Sequence, residues 1–215
     1  MMTTADPHKD TPVFFDGETI EKAKAAVVMV HGRGSSAEEI LTIASDLPGE
    51  GFLFAAPQAY NNTWYPYSFL YPAEQNEPGI SSGIKKIEKV ISDLNHKGID
   101  KEKIILLGFS QGACLALEFS ARNPWRYGGI AGLSGGLIGQ KIFEENYSGN
   151  LNYTPVFLGC SNVDPHIPLE RVNLTAEIFK KLKGDVNKRI YENMPHTINQ
   201  DEISFIAHLM DSLIK

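Results

Sequence analysis

Cysteine is scarce: Cys114 and Cys160 are the only two in 215 residues. Two cysteines make no disulfide framework, so a reducing, cytoplasmic compartment is the simple expectation. Positive charge is in deficit as well. Twenty Lys and Arg stand against twenty-six Asp and Glu, a net −6 without any basic run, which argues against a nucleic-acid surface. No apolar run approaches the roughly 18 residues of a membrane span. The longest, residues 25–30, stops at His31. The polar start MMTTADPHKDTP lacks the apolar core of a signal peptide, so none is expected. Repeats, low-complexity tracts and linkers are also missing.

What is there has an ordinary globular composition, with 42% hydrophobic and 21% charged residues. Residues 1–215 read as a single α/β domain, with 1–24 an N-terminal edge hairpin or extension whose turn is Asp16-Gly17. Strands are expected at 26–30, 52–55, 104–107, 129–133, 156–159 and 188–191. These runs are short and apolar without alternation, as in strands buried on both faces. Amphipathic stretches lie between them. Ile84, Ile87, Val90, Ile91 and Leu94 recur at helical spacing, with Lys85, Lys86, Lys89 and Asp93 on the other face. Leu169 to Leu182 and Ile203 to Leu213 repeat the pattern. Ser36 and Glu39 fit a capping box, and Gly98 a helix stop. The alternation predicts a mostly parallel central sheet with helices on both faces. Chemistry on such a sheet belongs at the carboxyl ends of its strands.

G-x-S-x-G occurs twice, around Ser110 and around Ser134. A nucleophile elbow needs a strand before the serine and a helix directly after it. Residues 104–107 and the apolar run from Ala113 to Phe119 supply both for Ser110. Ser134 is followed by Gly135, Gly136 and Gly139, a poor helix start. It reads as a small residue at a strand end near the site.

A serine hydroxyl needs a histidine base, and the histidine needs an acid to fix its tautomer. In this order of roles the acid precedes the histidine. His196 lies in the loop after the strand at 188–191, whereas His208 sits within the last helical stretch. His166 follows a strand end but precedes no further acid at one. Asp164 is the first carboxylate after the strand at 156–159. Ser110, Asp164 and His196 are therefore the expected triad. The expected oxyanion hole consists of the backbone N–H groups of Gln111 and of Arg33, in the His31-Gly32-Arg33-Gly34 loop. The Arg33 side chain reads as exposed rather than as an anion contact. His31 reads as a buried histidine bonded to its own loop. No metal and no cofactor is expected, because no second His or Cys stands at ligand spacing from His31.

His31-Gly32-x-Gly34, Gly108-Phe109-Ser110-Gln111-Gly112, Asp164-Pro165-x-x-Pro168 and the late His196 together resemble the phospholipase/carboxylesterase family. These small α/β-hydrolases include the acyl-protein thioesterases. The resemblance runs from about Ala25 to the end. It implies the α/β-hydrolase fold without a large cap domain, and hydrolysis of small-molecule carboxylic esters or thioesters without a cofactor. It leaves lysophospholipase or acyl-protein thioesterase activity as alternatives, and a homodimer as an arrangement common in the family. Three features depart from the pattern. Gly159-Cys160 stands where His-Gly is frequent, Pro195-His196 where Gly-His is frequent, and Ser35-Ser36 where an Asp is often found. They favour a general carboxylesterase over a dedicated protein thioesterase.

Aromatics crowd residues 60–71, after the strand at 52–55. The expectation is an apolar wall for substrate, with Trp64, Tyr65 and Phe69 as binding residues and Trp64 foremost. The competing reading is that they cover the end of the core. Cys114 reads as core, and nothing marks Cys160 as an activated thiolate. A reading from another class, a non-catalytic binding protein on the same scaffold, sits poorly with three triad residues present in order.

Overall fold

The computed structural model describes residues 6–214. Seven strands form one sheet: β1 (Val13–Gly17), β2 (Ala25–Val30), β3 (Phe52–Pro57), β4 (Ile104–Phe109), β5 (Gly129–Leu133), β6 (Pro155–Ser161) and β7 (Asp185–Tyr191). Their order is β1-β3-β2-β4-β5-β6-β7, and only β1 runs antiparallel to its neighbour. Five α-helices cover it: α1 (Ala37–Leu41), α2 (Gly79–His96), α3 (Gln111–Arg122), α4 (Leu169–Lys181) and α5 (Gln200–Ile214).

The strands lack alternation because both faces are covered. Successive side chains of a strand point to opposite faces. Val28, Leu106, Ile130 and Leu158 pack beneath α2, α3 and α4, with Ile87, Ile91, Leu117 and Phe179 opposite them. Val27, Met29, Ile105, Leu107 and Phe157 pack against α1 and α5, where Ile40, Ile206 and Met210 meet them. Helix α3 is buried along its whole length except Arg122, which explains its almost uniformly apolar sequence. Ser36 caps α1, its Oγ accepting from the Glu39 amide at 3.1 Å. Gly98 follows α2 at φ +98°, the left-handed stop that favours glycine.

The amino-terminal expectation is corrected in part. β1 is an edge strand but not half of a hairpin: it pairs with β3, and the next strand, β2, lies beyond β3 between β3 and β4. Residues 1–5 of the expected 1–24 extension lie outside the described residues. Residues 6–12 pack over α2 and the aromatic segment. His8 is fully buried. The Tyr60 amide donates to its Nδ1 at 3.0 Å, so its Nε2–H donates to the Trp64 carbonyl at 2.9 Å. Lys86, expected on a solvated face, is also buried, its ammonium bonded to the Thr11 carbonyl. β7 begins three residues earlier than expected. It is a sheet edge with Asp185, Asn187 and Lys188 exposed, so the apolar signal fades there. No described helix is long and apolar enough to cross a membrane.

Candidate active site

β4 delivers Ser110 to the start of α3 with φ 55° and ψ −120°, a strained left-handed backbone that side chains seldom adopt. Two glycines permit the turn. A Cβ on Gly108 would lie 2.4 Å from the Gly112 carbonyl oxygen, and one on Gly112 would lie 2.1 Å from the Val30 oxygen. The serine thus projects beyond the sheet while the helix begins against the end of β2.

Two further strand ends meet Ser110. His196, in the loop between β7 and α5, has Nε2 2.8 Å from Ser110 Oγ. Its Nδ1 lies 2.7 Å from Asp164 Oδ2, in the loop after β6. Asp164 Oδ1 accepts from the amides of His166 (2.9 Å) and Ile167 (3.1 Å). The Asp164 side chain is inaccessible to solvent and the His196 ring is 18% exposed. Burial pushes the Asp164 carboxyl upward, but the bonds from His196, His166 and Ile167 outweigh it and hold the group below its ordinary range. The ionised acid therefore fixes the proton on Nδ1, leaving Nε2 as an acceptor for the serine proton. The Phe109 ring, centroid 5.0 Å away, and the edge-on His166 ring, 4.9 Å away, confine the imidazole.

The amides expected to bind an oxyanion are free. Gln111 is the first residue of α3 and has no intrahelical acceptor. Among the described residues, neither its amide nor that of Arg33 donates a hydrogen bond. His31 holds the Arg33 loop in place. The Ala59 amide donates to its Nε2 at 3.1 Å, so Nδ1–H donates to the Gly32 carbonyl at 2.8 Å. Burial lowers its pKa and keeps it neutral, as the structural reading of this histidine expected.

A cavity of about 410 Å³ opens beside Ser110. Tyr65 and Phe69 line it, together with Arg33, His166 and Ile167. Trp64 does not, and that expectation is corrected. The indole is fully buried and its Nε1–H donates to the His31 carbonyl at 2.9 Å. It props the loop that carries the Arg33 amide rather than facing the cavity. Two side-chain roles escaped the sequence reading. The Gln111 amide group accepts from the Trp64 N–H (3.0 Å) and donates to the Tyr65 carbonyl (2.8 Å). The Arg33 guanidinium donates to the carbonyls of Pro66 (2.8 Å) and Tyr67 (2.5 Å). Both tie the aromatic segment to the elbow, and no local pattern signals either.

The second serine motif differs. Ser134 also has a left-handed φ of 50°, but no helix starts directly after it as α3 does after Ser110. Its hydroxyl is buried without a partner among the described residues. Both thiols are protonated at neutral pH, Cys114 and Cys160 each being pushed up by burial to about 12. Among the described residues, no three His, Cys, Asp or Glu side chains converge as a metal site requires.

A Ser–His–Asp hydrogen-bonded chain at three strand ends of a mostly parallel sheet, beside two free amides, defines an α/β-hydrolase of the serine-hydrolase class. More particularly, the chain belongs to the Phospholipase/Carboxylesterase family, which it matches over residues 17–214. A crystal structure of a phospholipase/carboxylesterase from Dyadobacter fermentans superposes with a TM-score of 0.90 at 40% identity, covering 96% of this chain and 97% of that one. Acyl-protein thioesterase 1 of Kluyveromyces lactis is 29% identical over 215 residues, 91% of this chain and 94% of its own. Acyl-protein thioesterase 1 of Saccharomyces cerevisiae is 34% identical over 132 residues, 60% of this chain and 58% of its own length.

Proposed function

We propose that this protein hydrolyses small carboxylic esters through an acyl-enzyme, with Ser110 as nucleophile, His196 as general base and acid, and Asp164 as the orienting acid. The observation that carries the reading is the 2.8 Å approach of His196 Nε2 to Ser110 Oγ while Nδ1 is bonded to Asp164. Ser110 Oγ forms a bond to the acyl carbon as its proton passes to Nε2. The carbonyl oxygen takes the electron pair and is stabilised by the Arg33 and Gln111 amides. As the carbonyl re-forms, the bond to the alcohol or thiol breaks and His196 protonates the leaving atom. Water, deprotonated by His196, then attacks the acyl-enzyme. The acid leaves and Ser110 regains its proton.

Two buried, protonated thiols are compatible with a cytoplasmic setting. A cavity of about 410 Å³ beside Ser110 is the size of an ordinary small-molecule site. Thioester hydrolysis is the second reading, favoured by the names of the yeast relatives; lysolipid hydrolysis would use the same steps.

Hydrolysis of p-nitrophenyl esters across acyl lengths, with wild type beside Ser110→Ala, tests the proposal. Serine-dependent turnover with a short-chain optimum supports a small-ester carboxylesterase. Turnover that rises with chain length redirects the reading to lysolipids or long acyl thioesters. Turnover that survives Ser110→Ala overturns the triad and returns attention to Ser134; no turnover at all overturns it in favour of a binding protein on this scaffold.

A further inference from the structure

We propose that Arg33 makes this site selective for substrates carrying an anionic group, a carboxylate or a phosphate, close to the scissile ester; the proposal rests on the esterase reading above. Arg33 has two parts with separate duties. Its backbone N–H, free of any backbone acceptor among the described residues, is the oxyanion donor of the esterase reading, and its side chain turns to the Pro66 and Tyr67 carbonyls, which accept from Nη1 and Nη2. The guanidinium carbon lies 5.9 Å from the centre of the Tyr65 ring. A guanidinium has five N–H donors, so the two bonds to carbonyls leave three unused in a fixed orientation on the cavity wall.

The charge itself has no partner. Among the described residues, no carboxylate lies within ion-pair distance of Arg33, although the chain carries a net −6. The cavity lining contains no Asp or Glu. Asp164, the nearest acid in the machinery, spends both oxygens on His196, His166 and Ile167. Partial desolvation lowers the Arg33 pKa, and no carboxylate is among the groups that act against it. Clasping two carbonyls would need only a neutral amide side chain. Arg33 is solvent-exposed at the cavity mouth, where an incoming group can reach it, and a bidentate fork is matched to carboxylate and phosphate. The rest of the wall adds no competing charge: Tyr65 lines the cavity with its hydroxyl buried beside Cys114. An anionic substituent on the substrate would take up the unused guanidinium donors.

The test compares matched esters. One series carries a terminal methyl, carboxylate or phosphonate on the acyl chain, and a second carries the same groups on the alcohol. The readout is the ratio of kcat/KM, anionic over neutral, in wild type, Arg33→Gln and Arg33→Lys. In at least one series wild type favours an anionic ester by about 10- to 100-fold, as expected for a hydrogen bond to a charged group. Arg33→Gln brings that ratio to about one, mainly through KM, and Arg33→Lys restores part of it. Preference for the carboxylate over the phosphonate, or the reverse, identifies the anion. A wild-type ratio at or below one in both series overturns the proposal. So does a ratio unchanged in Arg33→Gln, which would leave the side chain a clasp only. If no ester turns over, the parent reading fails and NMR titration still decides this one. Monomethyl succinate or a monoalkyl phosphonate shifts the Arg33 Nε–H resonance saturably and methyl butyrate does not; equal response to all three overturns the assignment.

Discussion

Glu202 fills the space that a side chain at Gly159 would need. A Cβ on Gly159 would lie 2.0 Å from Glu202 Oε1. The contact joins β6, just before the Asp164 loop, to the first turn of α5, just after the His196 loop. Glu202 Oε2 accepts from the Asn199 amide at 2.9 Å, and Asn199 Oδ1 accepts from the Glu202 amide at 3.0 Å. This reciprocal cap fixes where the His196 loop ends.

That carboxyl is fully buried and Oε1 has no partner among the described residues. Burial raises its pKa from 4.5 to about 7. The folded chain holds this proton more tightly than the unfolded one. The contribution to stability is therefore complete below about pH 4.5 and is lost as pH rises through about 7. Glu202→Gln keeps an acceptor for Asn199 and removes the titration. At pH 8 the variant is expected to be more stable by about 1–3 kcal/mol, with the gain absent near pH 4.5. Urea unfolding at both pH values checks this; an equal shift at both would refute it.

Gly112→Ala drives a methyl against the Val30 carbonyl, backbone against backbone, where no flexible side chain can give way. A loss of about 1–3 kcal/mol or more is expected, with activity falling because the turn that presents Ser110 shifts. Gly49→Ala is the control, since a Cβ there meets nothing within 4 Å. Denaturation midpoints of the two variants should differ accordingly.

Trp64 and Phe69 are expected to separate kinetically. Trp64→Phe removes the bond to the His31 carbonyl and loosens the loop carrying the Arg33 amide, so kcat falls more than KM changes. Phe69→Ala removes cavity wall, so KM rises more than kcat falls. The opposite split would return Trp64 to a substrate-contact role.

Asp164→Asn leaves the shape of the acid but offers His196 no anion. A loss of about 10⁴-fold in kcat is expected, against about 10⁶-fold for Ser110→Ala. Steady-state kinetics on one p-nitrophenyl ester is sufficient. A loss under tenfold for Asp164→Asn would remove Asp164 from the relay.

Much of this was legible in the sequence because the sheet is buried on both faces. Each inner strand announces itself as an unbroken apolar run, so the strand ends were readable, and with them Ser110, Asp164 and His196 as prospective neighbours. Edge strands are only half covered, which hid the start of β7 and the true partner of β1. Long-range polar ties leave no periodic trace. Nothing local shows that the Gln111 side chain would hold the Trp64-Tyr65 backbone, or that Gly159 makes room for Glu202. The aromatic segment misled for a related reason: composition shows that Trp64 and Tyr65 are apolar, but only the tertiary path of the backbone separates a prop from a wall.

Ser110 and His196 meet across 86 residues of chain, and His196 and Asp164 across 32. No contiguous fragment short of that span contains the three groups, and they touch only when β4, β6 and β7 are all seated. Turnover is thus a gauge of assembly. During refolding, activity should return only with the last strand to dock, later than helical signal, and a proteolytic nick between β6 and α5 should silence the enzyme while most of its sheet is still intact.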